Sequence, residues 1–376
     1  MTLRVAAMTQ SFVVPGNRAR WERLAELHPD ADVTLITPSL FVERRYGVEE
    51  VFEVAPEQRG NYRVVPLDVS TRFGWYHGLG RTFRAHRPDV LHVFDEPTEW
   101  MLLQAFVQAG LAIPRARRLF YYYTNILSRP TNVTGTLKNA AIFALAHGAD
   151  VGSADAESAV RGLGYRGPLV HETALGADER VWTPAGPPRS GPVTVGFLGG
   201  LMPEKGVADL VRAFAKAASA YDARLLIGGD GSERDGLQAL ASRLGISDRT
   251  SFAGAIERSE APAFIREMDA LVLPSRTVPT WKEQFGLVLV EAMLSRVAVV
   301  GSDCGAIPEV IGDAGKVYPE GDVAALARAL DGLLSDAAER RSLAERGRHR
   351  ALEHYSCTAL AERTYRRFRP LVGGAD

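Results

Sequence analysis

Short runs rich in β-branched residues alternate with helical patterns along the whole chain of 376 residues, and this alternation limits the fold more than any other feature. Strands that are separated by helices pair in parallel and carry the helices on their faces. In the first half, strands are predicted at Leu3–Met8, Val33–Thr37, Tyr62–Pro66, Val90–Phe94, Leu119–Thr124, Asp150–Ser153 and Leu169–Thr173, with helices that include Thr98–Ala109 and Leu137–Ala146. This half is therefore predicted to be a doubly wound α/β domain.

The second half repeats the same alternation more regularly. Strands are predicted at Val193–Leu198, Arg224–Ile227, Ser251–Ala253, Ala270–Leu273 and Ala298–Gly301, and helices at Val207–Ala218 and Asp235–Leu244. Between the halves, Thr183–Pro192 contains four prolines and two glycines, a composition typical of a linker. The sequence predicts two Rossmann-like domains, residues 1–185 and residues 186–357.

Charge and cysteine content exclude several classes of partner. The formal net charge is -1, so no long-range field favours nucleic acid or an anionic membrane. The two cysteines, Cys304 and Cys357, lack the spacing of a zinc site or a disulfide framework. Met1–Met8 enters a predicted strand directly, and no apolar run is long enough to span a membrane. We expect a cytoplasmic protein that binds no nucleic acid.

Two glycine-rich loops follow predicted strands, where ligands of doubly wound sheets bind. The first is Gly199-Gly200-Leu-Met-Pro-Glu-Lys205-Gly206, and a helix follows it. Glycines allow close backbone approach, while a helix N-terminus and the ammonium of Lys205 favour an anion such as a diphosphate. The alternative is a tight turn with a solvated lysine. The second loop, Gly228-Gly229-Asp-Gly231, also opens a helix, and neither loop matches a dinucleotide fingerprint or a P-loop.

Two glutamates bracket an apolar run in Glu283-Gln284-Phe285-Gly286-Leu287-Val-Leu-Val-Glu291. The run predicts a helix that starts near Gly286, with Glu283 just before its N-terminus. Glu291 lies among apolar neighbours, where a carboxylate is seldom buried without a partner. Its two oxygens suit the adjacent hydroxyls of a diol. The alternative is that Glu291 marks the exposed stripe of an amphipathic helix.

These motifs together resemble the retaining glycosyltransferases of family 4, which have the GT-B fold. The resemblance also rests on Gly305-Ala-Ile-Pro-Glu309 and on Gly176-Ala-Asp-Glu-Arg-Val-Trp-Thr-Pro184, and it covers essentially the whole chain. It implies two Rossmann-like domains that face a cleft, an N-terminal domain for the acceptor and a C-terminal domain for a nucleotide sugar. It also implies that a C-terminal helix, residues 358–376, packs back on the first domain.

The resemblance assigns roles to the donor-site candidates. Lys205 would hold the donor diphosphate, Glu291 the ribose hydroxyls, and Glu283 the hydroxyls of the transferred sugar. The remaining candidates would contact the donor through backbone or apolar atoms, namely Gly199, Gly200, Gly229, Ile256, Gln284, Phe285, Gly286 and Leu287. Transfer would proceed by front-face displacement with retention, from a UDP-sugar and without a metal ion.

Two positions depart from the family pattern. Gly200 stands where relatives commonly carry an arginine, so a second cation on the diphosphate is absent or is supplied elsewhere, for example by Arg276. Many relatives have a histidine near the end of a central strand of the first domain, where this chain has Asn125, which would take that role through a neutral hydrogen bond. The other acceptor-site candidates are Gly16, Asp95 and Glu96, while His92 is predicted to be a core residue.

Several interpretations stay open at this level. Arginines at 115, 117 and 118 and at 363, 366, 367 and 369 could touch the inner face of an anionic membrane, or could form solvated helix faces and ion pairs. The acceptor could be a glycan, a lipid-linked sugar or a small molecule, and the protein a monomer or homodimer. Alternatives to a hexosyltransferase are a degenerate nucleotide-sugar-binding protein and a nucleotide-sugar epimerase; a sugar phosphorylase and a nicotinamide-dependent enzyme are disfavoured.

Overall fold

The computed structural model describes residues 1–45, 48–70, 74–186 and 191–372. The chain forms two compact units, one made of Met1–Asp178 with Cys357–Asp376 and the other of Glu179–Ser356. The boundary lies before the predicted linker because Trp182 is buried in the second unit, under the guanidinium of Arg258 at 5.2 Å from the ring centroid. Residues 187–190 of the predicted linker lie outside the described residues.

The first unit is built on a sheet of eight strands. Its strands and those of two small hairpins are β1 (Leu3–Met8), β2 (Ala31–Pro38), β3 (Leu40–Arg45), β4 (Val48–Glu53), β5 (Glu57–Arg59), β6 (Tyr62–Leu67), β7 (Val69–Ser70), β8 (Trp75–Tyr76), β9 (Val90–Val93), β10 (Arg117–Tyr122), β11 (Gly148–Val151) and β12 (Leu169–His171). The order in the sheet is β12-β11-β10-β9-β1-β2-β6-β5, parallel except for the β5–β6 pair. The β3–β4 hairpin pairs Leu40 with Glu53.

Helices connect these strands: α1 (Ala19–Leu27), α2 (Leu79–His86), α3 (Trp100–Ala112), α4 (Val133–Leu145) and α5 (Ala154–Gly162). α4 begins earlier than predicted because the Asn132 side chain accepts a hydrogen bond from the Gly135 amide at 2.7 Å and so caps the helix. β11 ends before the predicted Ser153 because that serine caps α5 through the Ala156 amide, at 3.2 Å. Buried apolar residues fill both faces of the sheet, for example Phe106 on one and Trp21 on the other.

The second unit has a sheet of six parallel strands, β13 (Val193–Leu198), β14 (Ala223–Gly228), β15 (Thr250–Gly254), β16 (Ala270–Leu273), β17 (Ala298–Ser302) and β18 (Lys316–Tyr318), in the order β15-β14-β13-β16-β17-β18. Its helices are α6 (Val207–Ala217), α7 (Arg234–Arg243), α8 (Ala261–Ile265), α9 (Leu287–Leu294), α10 (Ile307–Ile311), α11 (Val323–Ser335) and α12 (Ala337–His354). α6 has one apolar face, on which Val207, Leu210, Val211 and Phe214 are all buried.

The last helix, α13 (Cys357–Phe368), belongs to the first unit and packs on α1. Ala361 and Phe368 lie in the same apolar cluster as Trp21. The buried Arg20 donates to the hydroxyl of Thr364 and, at 2.9 Å, to the carbonyl of Thr173. Of the helices that lie within the described parts of the chain, none is long and apolar enough to cross a membrane.

Candidate functional site

The donor-site candidates lie along one edge of the second sheet. β13, β14, β15 and β16 are neighbours and run parallel, so the loops that follow them converge at their carboxyl ends. Gly199 and Gly200 follow β13, Gly229 follows β14, and Ile256 follows β15. The four candidates that follow Glu283 lead into α9, the connection between β16 and β17.

The two glycine loops contact each other through their main chains. Gly229 has φ +130°, and a Cβ there would lie 1.8 Å from the carbonyl oxygen of Gly199. The amide of Gly229 donates to the carbonyl of Gly254 at 2.6 Å, and that of Gly199 to the carbonyl of Gly228 at 3.1 Å. Only glycine fits such close packing, so the loops leave backbone, rather than side chains, at this edge.

Lys205 and Glu283 form an ion pair where α6 and α9 begin. Lys205 ends a 3-10 turn, Pro203–Lys205, and Gly206 then takes φ +63° with its Cα against the carbonyl of Pro274. The ammonium Nζ of Lys205 lies 2.8 Å from Oε2 of Glu283. The hydroxyl of Ser275 donates to the same oxygen at 2.9 Å. The sequence prediction placed a cation and a carboxylate here, and the structure places them in direct contact.

The ring of Trp281 supports the ammonium of Lys205. Nζ lies 4.4 Å from the ring centroid, within the range of a cation–π contact. Trp281 lies in a loop that closes on itself, because its amide and carbonyl both bond to Val278, at 3.1 and 2.8 Å. Ser275 and Trp281 were not among the sequence candidates, although both lie in the loop after β16.

The main chain of Glu283 is held by the segment after β17. Its amide donates to Sγ of Cys304 at 3.5 Å, and its carbonyl accepts from the amide of Ala306 at 3.0 Å. Between them, Gly305 has φ +57°, and a Cβ there would lie 2.0 Å from the carbonyl oxygen of Glu283. Burial raises the pKa of the Cys304 thiol, so it stays protonated and serves as a packing and hydrogen-bonding group. These contacts fix the position of Glu283.

The helix α9 begins at Leu287, directly after Gly286, which confirms the predicted start. Gly286 adopts φ +79° and a Cβ on it would lie 3.0 Å from the side chain of Leu273. The two residues before it, Gln284 and Phe285, and also Leu287, are partly buried. The ring of Phe285 meets that of Tyr355 edge to face at 5.6 Å. This apolar contact anchors the segment between Glu283 and the helix.

Glu291 is buried inside α9 and forms an ion pair with Arg258. Oε1 lies 2.7 Å from Nη1 of Arg258, whose side chain is 58% exposed and stacks on Trp182. Burial raises the pKa of Glu291 to about 7, and Arg258 opposes that rise only in part. The alternative in which Glu291 marks an exposed stripe is therefore wrong. A carboxyl group held at this pKa is poised for a ligand that accepts or donates hydrogen bonds.

Arg276 is not free to supply the second cation that the resemblance leads us to expect near Gly200. Its Nε and Nη2 donate to the two carboxylate oxygens of Asp209, at 2.6 and 2.8 Å. Asp209 is buried in α6, so this two-point pair fixes the guanidinium against the first turn of the helix. Arg276 is therefore held in place by Asp209 and is not available as a second cation, beside Lys205, for a donor diphosphate.

The acceptor-site candidates lie in the first unit, after adjacent strands of its sheet. Asp95 and Glu96 follow β9, Asn125 follows β10, and Gly16 lies in the turn Pro15–Arg18 after β1. Except for Gly16, which is exposed, all are buried. Glu96 accepts from the Thr124 amide at 2.6 Å, which ties the two loops together. Burial raises the pKa of Asp95 to about 7 and also raises that of Glu96.

His92 is a core residue in the structure, as the sequence predicted. It is buried in β9, and its Nε2 lies 3.3 Å from Oδ2 of the buried Asp150. Burial, together with the nearby guanidinium groups of Arg367 and Arg20, lowers its pKa well below the usual value. Arg367 neutralises Asp150 from α13, with Nη2 2.5 Å from Oδ1. The group is an internal ion-pair cluster rather than a surface site.

Among the residues that the structure describes, no group of three His, Cys, Asp or Glu side chains is arranged to hold a metal ion.

Comparison with known proteins identifies the fold of the chain and relates the second unit to a known family. Sucrose-phosphate synthase from Thermosynechococcus elongatus superposes with a TM-score of 0.69 at 19% identity, covering 99% of this chain and all of that one. HepE from Anabaena, solved in complex with UDP, superposes with a TM-score of 0.69 at 18% identity over 98% of this chain and all of its own. The two parallel α/β units thus have the GT-B fold.

Sequence comparison relates the second unit to a known family. The model of glycosyl transferases group 1 matches residues 178–350, which make up most of that unit. N-acetyl-alpha-D-glucosaminyl L-malate synthase from Bacillus anthracis is 38% identical over 153 residues, which are 40% of this chain and 38% of that protein. The chain spans about two fifths of the length of the first curated relatives it matches. The resemblance drawn from the motifs is confirmed for the fold and for the match to glycosyl transferases group 1, whereas family 4 and retention stay predictions.

Proposed function

We propose that the protein is a glycosyltransferase that moves a hexose from a nucleotide-diphosphate sugar, such as a UDP-sugar, to an acceptor hydroxyl with retention at the anomeric carbon. The match of residues 178–350 to glycosyl transferases group 1 supports transferase activity. HepE, which shares the fold, was solved with UDP, and this supports a nucleotide donor. The acceptor is a glycan, a lipid-linked sugar or a small molecule.

The observation that carries the proposal is the Lys205–Glu283 pair at the edge of the second sheet. An ammonium group 2.8 Å from a carboxylate, beside glycine loops and two helix N-termini, offers separate partners for a diphosphate and for sugar hydroxyls. Ser275 and Trp281 fix the two charged groups before any ligand binds. Fixed charges of this kind can stabilise a leaving diphosphate without the cost of reorganising the site.

Glu291 supplies the second part of the proposed donor site. The carboxylate would accept hydrogen bonds from the two ribose hydroxyls, which requires Arg258 to move away from Oε1. Arg258 can do so because its side chain is more than half exposed. Placed on Trp182, the freed guanidinium would remain near the nucleotide.

The proposed reaction leaves little covalent chemistry to protein side chains. The acceptor oxygen bonds to the anomeric carbon on the face from which the diphosphate departs, the bond between carbon and diphosphate oxygen breaks, and the acceptor proton passes to the diphosphate. Lys205 would stabilise the negative charge that develops on the leaving group, and Glu283 would orient the sugar. A metal ion has no role in this proposal, so activity should survive a chelator.

One observation favours a second candidate, a protein that binds nucleotide sugar without transferring it. Gly200 brings no charge to the diphosphate, and Arg276 is held by Asp209. With Lys205 as the single assigned cation, binding could persist where transfer fails.

Donor binding and turnover distinguish these functions. Calorimetric titration with UDP, UDP-glucose, UDP-N-acetylglucosamine and GDP-mannose would identify the donor, and product NMR with an acceptor panel would show the anomeric configuration. Glu291→Ala should weaken nucleotide binding roughly 10- to 100-fold through loss of two hydrogen bonds to a charged group. Glu283→Ala should lower kcat by roughly 100- to 1,000-fold with a smaller change in binding.

The exposed Glu267 provides a matched control, because Glu267→Ala removes a carboxylate from the same unit at a position that precedes β16, away from the carboxyl ends of the strands. Tight UDP binding without turnover on any acceptor would favour the binding protein. Unchanged binding and turnover in both the Glu283 and Glu291 variants would refute the site.

A further inference from the structure

Residues 100–149 of the first unit contain no aspartate or glutamate. With 45 acidic residues in 376, a stretch of this length would carry about six. The same stretch carries five basic residues, Arg115, Arg117, Arg118, Arg129 and Lys138. The local charge is therefore positive in a chain whose overall charge is nearly neutral, and this stretch includes α3 and α4.

α3 exposes an apolar stripe to solvent. Trp100, Val107 and Leu111 lie at spacings of seven and four residues, on one helix face, and are exposed by 40%, 43% and 83%. Leu103, one turn after Trp100, is partly buried on the same face. α3 contains no charged residue at all. An exposed helix face in a globular protein is normally polar, so this stripe is unusual.

α4 exposes a second apolar stripe beside the first. Val133 and Leu137 are exposed by 74% and 66%, and Ala140 and Ala144 continue the same face in the exposed class. α3 and α4 pack against each other, and both connect neighbouring parallel strands, so they run in the same direction. Together the two stripes form one surface about 20 Å long, given 13 residues per helix and a rise of about 1.5 Å per residue.

A basic cavity of about 890 Å³ adjoins the C-terminal end of α3. Ala112 and the following loop line it, together with Arg84, Arg87, Arg115 and Arg117. Within the described ranges, the side chains of these four arginines have no ion-pair or hydrogen-bond partner. Asp89, the one carboxylate among the lining residues, forms an ion pair with Arg4, whose Nη2 lies 2.7 Å from Oδ1 of Asp89. The cavity thus offers uncompensated positive charge next to the exposed Leu111.

The other arginine run contributes nothing to this surface. Arg363 pairs with Glu172 at 2.9 Å, Arg367 with Asp150, and Arg369 with Asp30 at 3.4 Å. Three of its four guanidinium groups are therefore neutralised inside the first unit. The free charge lies at residues 84–117, at the end of the apolar stripes.

We infer that the exposed faces of α3 and α4, with the basic cavity at their end, dock on a membrane that contains anionic phospholipid. Apolar side chains would enter the interface, Trp100 would lie at headgroup level, and the arginines would bind lipid phosphates. Helices of 13 residues are too short to cross the hydrocarbon, so the contact is interfacial. The charge selects the occupant, because residues 100–149 of a second copy would bring no aspartate or glutamate to pair with the arginines, whereas lipid phosphates supply that negative charge. The inference does not depend on the transfer reaction.

Vesicle flotation of the full chain tests this inference. Binding is expected to vesicles of phosphatidylcholine mixed with phosphatidylglycerol, to be much weaker with phosphatidylcholine alone, and to fall as salt is raised. Arg115→Glu combined with Arg117→Glu should weaken binding at least tenfold, since each basic residue at the surface contributes about a factor of five. Leu111→Glu combined with Leu137→Glu should weaken it by roughly tenfold or more. Both pairs are exposed, so thermal unfolding should be unchanged.

The matched control is Leu244→Glu combined with Arg328→Glu, which changes an exposed leucine and an exposed arginine of the second unit and should leave flotation unaltered. Equal binding to neutral and anionic vesicles, or equal binding of all three variants, would overturn the inference. A third outcome would also overturn it: no flotation of the wild-type protein, together with a dimer in sedimentation that the Leu111→Glu and Leu137→Glu changes dissociate. The surface would then be a contact between two copies of the chain.

Discussion

Glu291→Gln should change the pH dependence of the stability of the second unit. The buried carboxyl has a pKa of about 7 in the folded state against an ordinary value of 4.5. Between these two values the unfolded chain is ionised while the folded protein remains protonated, so the unfolded state binds fewer protons. Stability attributable to this group therefore falls as pH rises from about 4.5 to about 7 and is constant outside that window. Glutamine, which does not ionise, removes this dependence.

The magnitude follows from the size of the pKa shift. The pKa of Glu291 rises from 4.5 to about 7, and each pKa unit corresponds to about 1.4 kcal/mol. Ionisation of this group should therefore lower the unfolding free energy of the wild-type protein by about 3 kcal/mol at pH 8. The difference in unfolding free energy between the glutamine variant and the wild type should therefore increase by about 3 kcal/mol from pH 4.5 to pH 8. Loss of the Arg258 ion pair contributes to that difference, but Arg258 is largely exposed and its contribution is small.

Urea denaturation at a series of pH values, followed by tryptophan fluorescence and circular dichroism, measures the difference. Glu267→Gln is the control, because it makes the same chemical change at an exposed position of the same unit. A difference for Glu291→Gln that stayed constant within about 0.5 kcal/mol over this range would refute the reasoning, since it would mean that the buried carboxyl titrates as in the unfolded chain.

Two further substitutions test the packing that positions the proposed site and the last helix. Gly305→Ala should destabilise the second unit by about 2 kcal/mol or more, because its Cβ would lie 2.0 Å from the carbonyl oxygen of Glu283 at φ +57°, as measured by thermal unfolding. Arg367→Met should destabilise the first unit by about 3–5 kcal/mol in denaturant titration, because it removes the guanidinium that forms the ion pair with the buried Asp150. The exposed Arg366 gives the control Arg366→Met, which should change stability by less than about 0.5 kcal/mol.

Each of these two predictions has an outcome that would contradict it. Wild-type stability of Gly305→Ala would mean that the Glu283 segment shifts to admit a methyl group. Equal effects of Arg366→Met and Arg367→Met would mean that Asp150 does not depend on the ion pair from α13.

The sequence was most informative where one physical requirement dominates. Val193–Leu198 and Ala270–Leu273 are central strands, covered on both faces, and their apolar runs gave the observed bounds. Gly286 marked the start of α9 because only glycine readily adopts its φ of +79°. The β3–β4 hairpin was missed, since its strands lie outside the central parallel sheet and carry several charges. Its side chains have no strong apolar pattern to read.

The candidate site divides in the same way. Lys205, Glu283 and Glu291 could be found because charged residues beside glycines or inside apolar runs are conspicuous. Ser275, Trp281 and Arg258 could not, because their importance arises from contacts between segments far apart in the chain, such as the ion pair from Arg258 to Glu291. The seven-residue separation of the two glutamates gave no hint of Arg258. Roles of the individual site residues stay predictions.

The position of α13 has a consequence for the order of folding during synthesis. The ribosome releases the second unit before residues 357–368, yet these residues complete the apolar cluster around Trp21 and supply the cation for Asp150. The first unit is translated first, but until α13 is synthesised it lacks the helix that packs on α1 and the guanidinium that pairs with Asp150. The second unit is continuous in the chain and can fold earlier. A chain truncated after residue 356 should therefore keep the second unit resistant to protease and leave the first one sensitive.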